Sequence, residues 1–155
     1  MPTLIVLRHA KAVTGFGTAD IDRVLTDRGR RDAAATGDWL RAGGLVPDRV
    51  LCSPAARTRE TLDLLAVDAP VDYEPVIYAN DADELLALTA EAPEDAGTLL
   101  LVGHNPSVHQ FVHDLTGRAP AAFPTCALAV VDLPGAWSET RPGLGTLRTV
   151  RTPKG

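Results

Sequence analysis

Thr3-Leu4-Ile5-Val6-Leu7, followed at once by Arg8-His9, is the stretch that decides the fold. Five consecutive apolar or β-branched residues are too few for a helix and match a strand covered on both faces. Similar runs recur at 49–53, 98–103 and 127–133, with shorter strand candidates at 71–73 and 146–150. Amphipathic stretches separate them. One helix is expected over 27–42, with Thr26 as N-cap and Gly43-Gly44 as its stop. A second should begin at Pro54, with Ser53 as N-cap and proline in the first helical position. A third covers about 82–91. The fourth starts at Pro106 behind Asn105 as N-cap and ends at Gly117. Strand and helix in alternation mean an α/β sheet with helices on its faces.

Nothing repeats and no linker interrupts the pattern, so residues 1–155 read as a single domain. A chain of 155 residues can bury roughly 70% of its unfolded surface, enough for a true core. Residues 134–145, with Trp137 among Pro and Gly, read as a surface excursion, and 151–155 as a frayed end.

With 45% hydrophobic and 23% charged residues, the chain is neither disordered, collagen-like nor a coiled coil. The formal net charge of −5 argues against nucleic acid or an anionic membrane surface as a general partner. Any anion handled here must meet a local group of arginines. All of the 15 basic residues except Lys11 and Lys154 are arginine. Cys52 and Cys126 sit in apolar runs and read as buried free thiols in a reducing compartment. The N-terminal apolar run is too short for a signal peptide or a membrane span, so a cytoplasmic location is expected.

In sheets of this kind, ligands collect where strands end and helices begin. The first strand delivers Arg8-His9. The second delivers Ser53-Pro54 and, one turn later, Arg57. The third long strand delivers Gly103-His104-Asn105-Pro106. Two arginines and two histidines thus share one kind of position on three strands, two of which feed helix N-termini that favour an anion. This set suits phosphoryl transfer through a histidine. A neutral imidazole can attack phosphorus, and arginines hold the charged equatorial oxygens in bidentate geometry. Neither a metal nor another cofactor is called for.

At these residues the chain resembles the small, SixA-type branch of the histidine phosphatase superfamily. The resemblance rests on Leu7-Arg8-His9-Ala10-Lys11-Ala12, on Leu25-Thr26-Asp27-Arg28-Gly29-Arg30-Arg31-Asp32-Ala33, on Ser53-Pro54-Ala55-Ala56-Arg57-Thr58-Arg59-Glu60-Thr61 and on Val102-Gly103-His104-Asn105-Pro106. It continues weakly through Ile77-Tyr78-Ala79 and Phe123-Pro124-Thr125. It implies a phosphoglycerate mutase-like fold, a three-layer structure with a mixed, mostly parallel sheet. By resemblance, His9 is the nucleophile, Arg8 and Arg57 are phosphate ligands, and His104 binds a phosphoryl oxygen and stabilises the transition state.

The implied activity is a metal-independent phosphatase acting on phosphohistidine of signalling proteins. Two alternatives remain at this point: a phosphatase for small phosphomonoesters or nucleotides, and a non-catalytic module that docks phosphorylated partners. Larger members carry an acid after the third strand. Here that stretch reads Ile77-Tyr78-Ala79-Asn80, and Asp81, Asp83 and Glu84 beyond it read more simply as a helix's first turn. Arg59 should be solvated, because two positions from Arg57 it points to another helix face. Lys11 and Ser53 could reach the pocket rim, although capping alone accounts for Ser53. His109 and His113, spaced i, i+4, could geometrically bind zinc but lack a third ligand nearby and read as a polar pair. Trp39, Leu40 and Phe111 belong to the core pattern. No long exposed apolar patch can be read from the sequence, which leaves the oligomeric state open.

Overall fold

A computed structural model describes residues 2–153. Six strands form one sheet: β1 Thr3–Arg8, β2 Arg49–Cys52, β3 Val71–Tyr73, β4 Thr98–Gly103, β5 Leu128–Asp132 and β6 Thr146–Arg151, in the order β3-β2-β4-β1-β5-β6. The pairs β3–β2, β2–β4 and β4–β1 are parallel, while β1–β5 and β5–β6 are antiparallel. The sheet is therefore mixed and mostly parallel, as expected. Helices α1 Asp27–Ala42, α2 Ala56–Leu65, α3 Pro75–Tyr78, α4 Ala82–Ala90 and α5 Ser107–Thr116 complete it.

Alternation along β1 builds two cores. Leu4 and Val6 face one way, into a cluster with Leu85 of α4 and Phe111 and Leu115 of α5. Ile5 and Leu7 face the other, against Leu40 of α1 and Leu62 and Leu65 of α2. All are buried, which is why the central strands read as unbroken apolar runs rather than as alternating ones. Gly37 lets α1 and α2 approach: a Cβ there would sit 2.2 Å from the Leu65 carbonyl oxygen. Among the described residues no helix is long and apolar enough to cross a membrane.

Several local expectations need correction. The second helix starts at Ala56, two residues late, and Ser53 is not its cap. Ser53 instead prolongs β2, its N–H donating to the Val102 carbonyl, and its hydroxyl belongs to His104. The fourth helix starts at Ser107, and Asn105 does not cap it. Its first N–H is met by Asn80, whose Oδ1 lies 3.0 Å away, while Asn105 donates to the Phe123 carbonyl. The 134–145 stretch is not wholly superficial. It turns through a 3-10 helix at Trp137–Glu139, and Trp137 is buried in the core cluster with Leu85 and Phe111, its indole N–H satisfied by the Ala96 carbonyl at 2.7 Å. Arg151 is the last residue of β6, held by Thr36 Oγ1 at 2.7 Å, so the end does not fray there; residues 154 and 155 lie outside the described range. The short helix α3 had no counterpart in the expected elements.

Candidate active site

The register of the parallel strands brings the site together. Leu7 pairs with Val102, Arg8 with Gly103, and Cys52 with Val102, so His9, Ser53 and His104 each lie one step beyond a strand at the same sheet edge. The His9 backbone is held from both sides: its N–H donates to the Gly103 carbonyl, and its carbonyl accepts from the Cys126 N–H. Cys52 and Cys126 are free and buried, as read from the sequence; burial pushes the Cys52 thiol up to about 12 and the Cys126 thiol upward too.

The structure brings Arg8, His9, Arg57 and His104 into one place. The two imidazole rings lie 5.3 Å apart, and all but Arg8 are buried. Burial is the main reason that both rings are hard to protonate, at about 4 for His9 and about 3 for His104. For His9, the Ala10 carbonyl opposes this partly, and Arg57 and Arg8 reinforce it. For His104, His9 and Arg57 add to it. Both are neutral imidazoles at physiological pH.

Their tautomers follow from their partners. His9 Nδ1 lies 2.7 Å from the Ala10 carbonyl oxygen, which can only accept, so Nδ1 carries the hydrogen and Nε2 keeps its lone pair. His104 Nε2 lies 2.8 Å from Ser53 Oγ, which also accepts from the Ala55 N–H at 3.3 Å. The arrangement that serves both groups has Ser53 donating to Nε2, which leaves the His104 hydrogen on Nδ1.

Arg8 Nη1 donates to the Phe123 carbonyl at 3.2 Å. Burial, then Arg57, lowers the Arg8 guanidinium pKa. Arg8 Nε, Arg57 Nε and His104 Nδ1 are buried with no hydrogen-bond partner among the described residues, as is the acceptor Asn105 Oδ1. An unmet buried donor costs about 1–3 kcal/mol. Three of them in one site suit an acceptor-only ligand such as a phosphoryl group.

Two side chains were not anticipated. Asp20, from a 3-10 turn at Asp20–Asp22, accepts from Arg57 Nη2 at 3.1 Å and from the Tyr78 hydroxyl at 2.6 Å. Tyr78 also places its ring edge against His104, 5.7 Å between centroids. Asp20 belongs to an arm, residues 12–25, closed by the bridge between Ala12 and Leu25. The bridge packs Ala12 and Leu25 on the body and turns Val13 and Val24 to solvent. With the fully exposed Phe16 and with Ile21, four of the six exposed large apolar side chains among the described residues lie on this arm. No spacing rule points to Asp20; Ile77-Tyr78-Ala79 draws attention as a weak part of the resemblance and for its lack of a carboxylate, not for the Tyr78 hydroxyl.

Asp81, Asp83 and Glu84 are exposed at the start of α4, where Asp81 Oδ1 accepts from the Asp83 N–H. Arg59 is exposed, lying 4.3 Å over the Tyr73 ring. Lys11 is exposed and is held through its backbone carbonyl by Thr26. His109 is half-buried, stacked on Phe123 and 2.6 Å from the Pro120 carbonyl, and His113 is exposed. Among the described residues no third metal-ligating side chain joins them.

The sequence profile of the histidine phosphatase superfamily (branch 1) matches residues 4–85. A curated protein of Mycobacterium tuberculosis H37Rv, the uncharacterised Rv1276c, is 34% identical over 96% of this chain and 100% of its own length. A provisionally assigned SixA phosphohistidine phosphatase of Nakamurella multipartitia superposes with a TM-score of 0.89 at 34% identity, covering 99% of this chain and 97% of that one. The protein histidine phosphatase SixA, solved with tungstate, gives 0.80 at 27% identity and 97% coverage of both chains. The chain belongs to the histidine phosphatase superfamily, and within it to the SixA-type branch.

Proposed function

We propose that this protein removes phosphate from phosphohistidine side chains of other proteins, through a covalent intermediate on His9. The observation that carries the proposal is the Nδ1 bond of His9 to the Ala10 carbonyl, which leaves Nε2 unprotonated in a ring too buried to protonate above about pH 4. In the first step the Nε2 lone pair attacks phosphorus and the bond from phosphorus to the leaving nitrogen breaks. That nitrogen keeps the electron pair and takes a proton from solvent. Arg8, Arg57 and the His104 Nδ1–H hold the equatorial oxygens. In the second step water attacks phosphorus, the bond to Nε2 breaks, and inorganic phosphate leaves.

Leaving-group chemistry favours phosphohistidine over alkyl esters. An alkoxide needs a positioned acid, typically worth about 10²–10⁴-fold. Among the described residues, Asp20 is the only carboxylate that hydrogen-bonds a site residue, and it is a poor acid. The Tyr78 hydroxyl, with Arg57 and Arg23, holds it down at about 2 despite some desolvation. Asp81 is engaged by the Asp83 N–H, and Asp83 and Glu84 are exposed in the first turn of α4. The exposed apolar side chains of the 12–25 arm, next to Asp20, further support a macromolecular substrate over a nucleotide.

The test is a profile of purified protein, with chelator present, against a phosphohistidine protein, aryl phosphates, alkyl phosphates and nucleotides. kcat/KM should be highest for the phosphohistidine protein and fall steeply as the leaving-group pKa of the esters rises. Alkyl esters or nucleotides turned over equally well would assign a small-molecule phosphatase instead. Binding of phosphate without any turnover would leave only a docking module.

A further inference from the structure

We propose that Asp20 is a specificity-determining residue: its carboxylate competes with the phosphoryl group for Arg57, speeding phosphate release and rejecting substrates that carry a second negative charge beside the phosphate. This rests on the assignment of Arg57 as a phosphate ligand and extends it to what that ligand excludes.

The geometry of Arg57 is the starting point. Its side chain is 7% exposed, and both terminal nitrogens are taken by one residue. Nη1 donates to the Asp20 backbone carbonyl at 2.8 Å and Nη2 to its carboxylate at 3.1 Å. Asp20 comes from 37 positions away in sequence, and its own side chain is 55% exposed. This contact is not an incidental ion pair at a mobile rim. The carboxylate is fixed from two more directions, by Tyr78 at 2.6 Å and by Arg23 Nε at 3.1 Å. Arg23 is itself anchored on the Val13 carbonyl. Asp20 is therefore an anion built into the wall of an anion site.

The consequence is electrostatic. Arg8, Arg57 and Arg23 bring three positive charges, the two imidazoles bring none, and Asp20 takes one away. A phosphoryl dianion then finds surroundings of net charge +2 rather than +3. A carboxylate or second phosphate on the same substrate that approaches Arg57 or Arg23 meets a carboxylate already paired with both. Product phosphate, once free, is bound less tightly than these arginines without Asp20 would bind it. Like charges a few ångströms apart at a wet protein surface repel enough to change an equilibrium by about three- to ten-fold.

Asp20→Asn keeps an acceptor for Arg57 and Tyr78 while removing the charge and the acceptor for Arg23; Asp20→Glu keeps the charge. The first measurement is inorganic phosphate binding by calorimetry, which does not depend on turnover. Asp20→Asn should bind phosphate about three- to ten-fold more tightly, with the gain shrinking as salt is raised, and Asp20→Glu should stay near the wild type. The second is the ratio of kcat/KM for 4-carboxyphenyl phosphate to that for its neutral amide, 4-carbamoylphenyl phosphate. This ratio should rise by a similar factor in Asp20→Asn alone. Were Asp20 merely a structural prop for Arg57, Asp20→Asn would bind phosphate no better or worse; that result, or an unchanged ratio, overturns the inference. A wild type that binds phosphate but hydrolyses no phosphohistidine protein contradicts the proposed substrate and leaves the calorimetric result decisive for Asp20. Failure of the wild type to bind phosphate at all overturns both.

Discussion

The protein carries two pairs of histidines, and they have little in common. His9 and His104 are 95 positions apart, yet the strand register sets their rings 5.3 Å from each other in a buried, electropositive site. His109 and His113 are one turn apart on α5, yet one stacks on Phe123 and the other faces solvent. Spacing alone makes zinc geometrically possible at the second pair, which nonetheless reads as a polar pair for want of a third ligand. What distinguishes the first pair is a fixed tautomer, exclusion of water and neighbouring arginines, all of which come from tertiary position.

The largest effects should separate the pairs in activity. His9→Ala should abolish turnover, a loss on the order of 10³-fold or more, with the fold retained. His104→Ala should lower kcat/KM on an aryl phosphate by about 2–4 kcal/mol of transition-state stabilisation. His109→Ala and His113→Ala should leave kcat/KM within about two-fold. Steady-state kinetics on the four variants makes the comparison, and a severe loss in either α5 variant would erase it.

Stability against pH should separate them next. His9 and His104 titrate at about 4 and about 3 when folded and near 6.5 when unfolded. The unfolded chain therefore takes up their protons first. Their neutral burial costs nothing above about pH 6.5, and stability is lost as pH falls from there toward 4. Two such groups should remove about 2 kcal/mol between pH 6 and 5. Urea titrations should show that slope in the wild type and in His109→Ala or His113→Ala, and a much flatter one in the His9→Ala/His104→Ala double variant. Equal slopes in all of them would mean that the first pair is solvated.

Smaller effects sharpen the picture. Ser53→Ala removes the partner of His104 Nε2 and should cost about 1 kcal/mol in kcat/KM, on the scale of one neutral hydrogen bond. Ser53→Thr, which restores a hydroxyl, should recover part of the loss. His109→Ala, which loses the Pro120 bond and the Phe123 stack, should destabilise by about 1 kcal/mol, and exposed His113→Ala by less than about 0.5 kcal/mol. Thermal or urea denaturation reads both.

What was legible in the sequence is what depends on local pattern. Apolar runs such as Leu4–Leu7 mark buried strands, and residues just past such runs fall at the sheet's carboxyl edge. Arg8, His9, Arg57 and His104, proposed here as the site, are singled out that way and by the family resemblance. Asp20 is not, because it reaches Arg57 from an irregular arm with no periodicity. Ser53 and Asn105 looked like caps since both are good capping residues, but tertiary partners claim their side chains: His104 in one case and the Phe123 carbonyl in the other. Asn80 supplies the missing cap from another segment. Trp137 looked superficial among turn residues, yet it joins the core cluster with Leu85 and Phe111, its indole N–H met by the distant Ala96 carbonyl.

The central claim is that His9 reacts through Nε2 because Nδ1 is committed to the Ala10 carbonyl. The most direct test is to trap the phosphoenzyme in single turnover and determine which nitrogen carries the phosphate, by peptide mass spectrometry for the residue and phosphorus NMR for the position. Phosphate on His9 Nε2 is the predicted result. Phosphate on His9 Nδ1, on His104 or on any other side chain would contradict it.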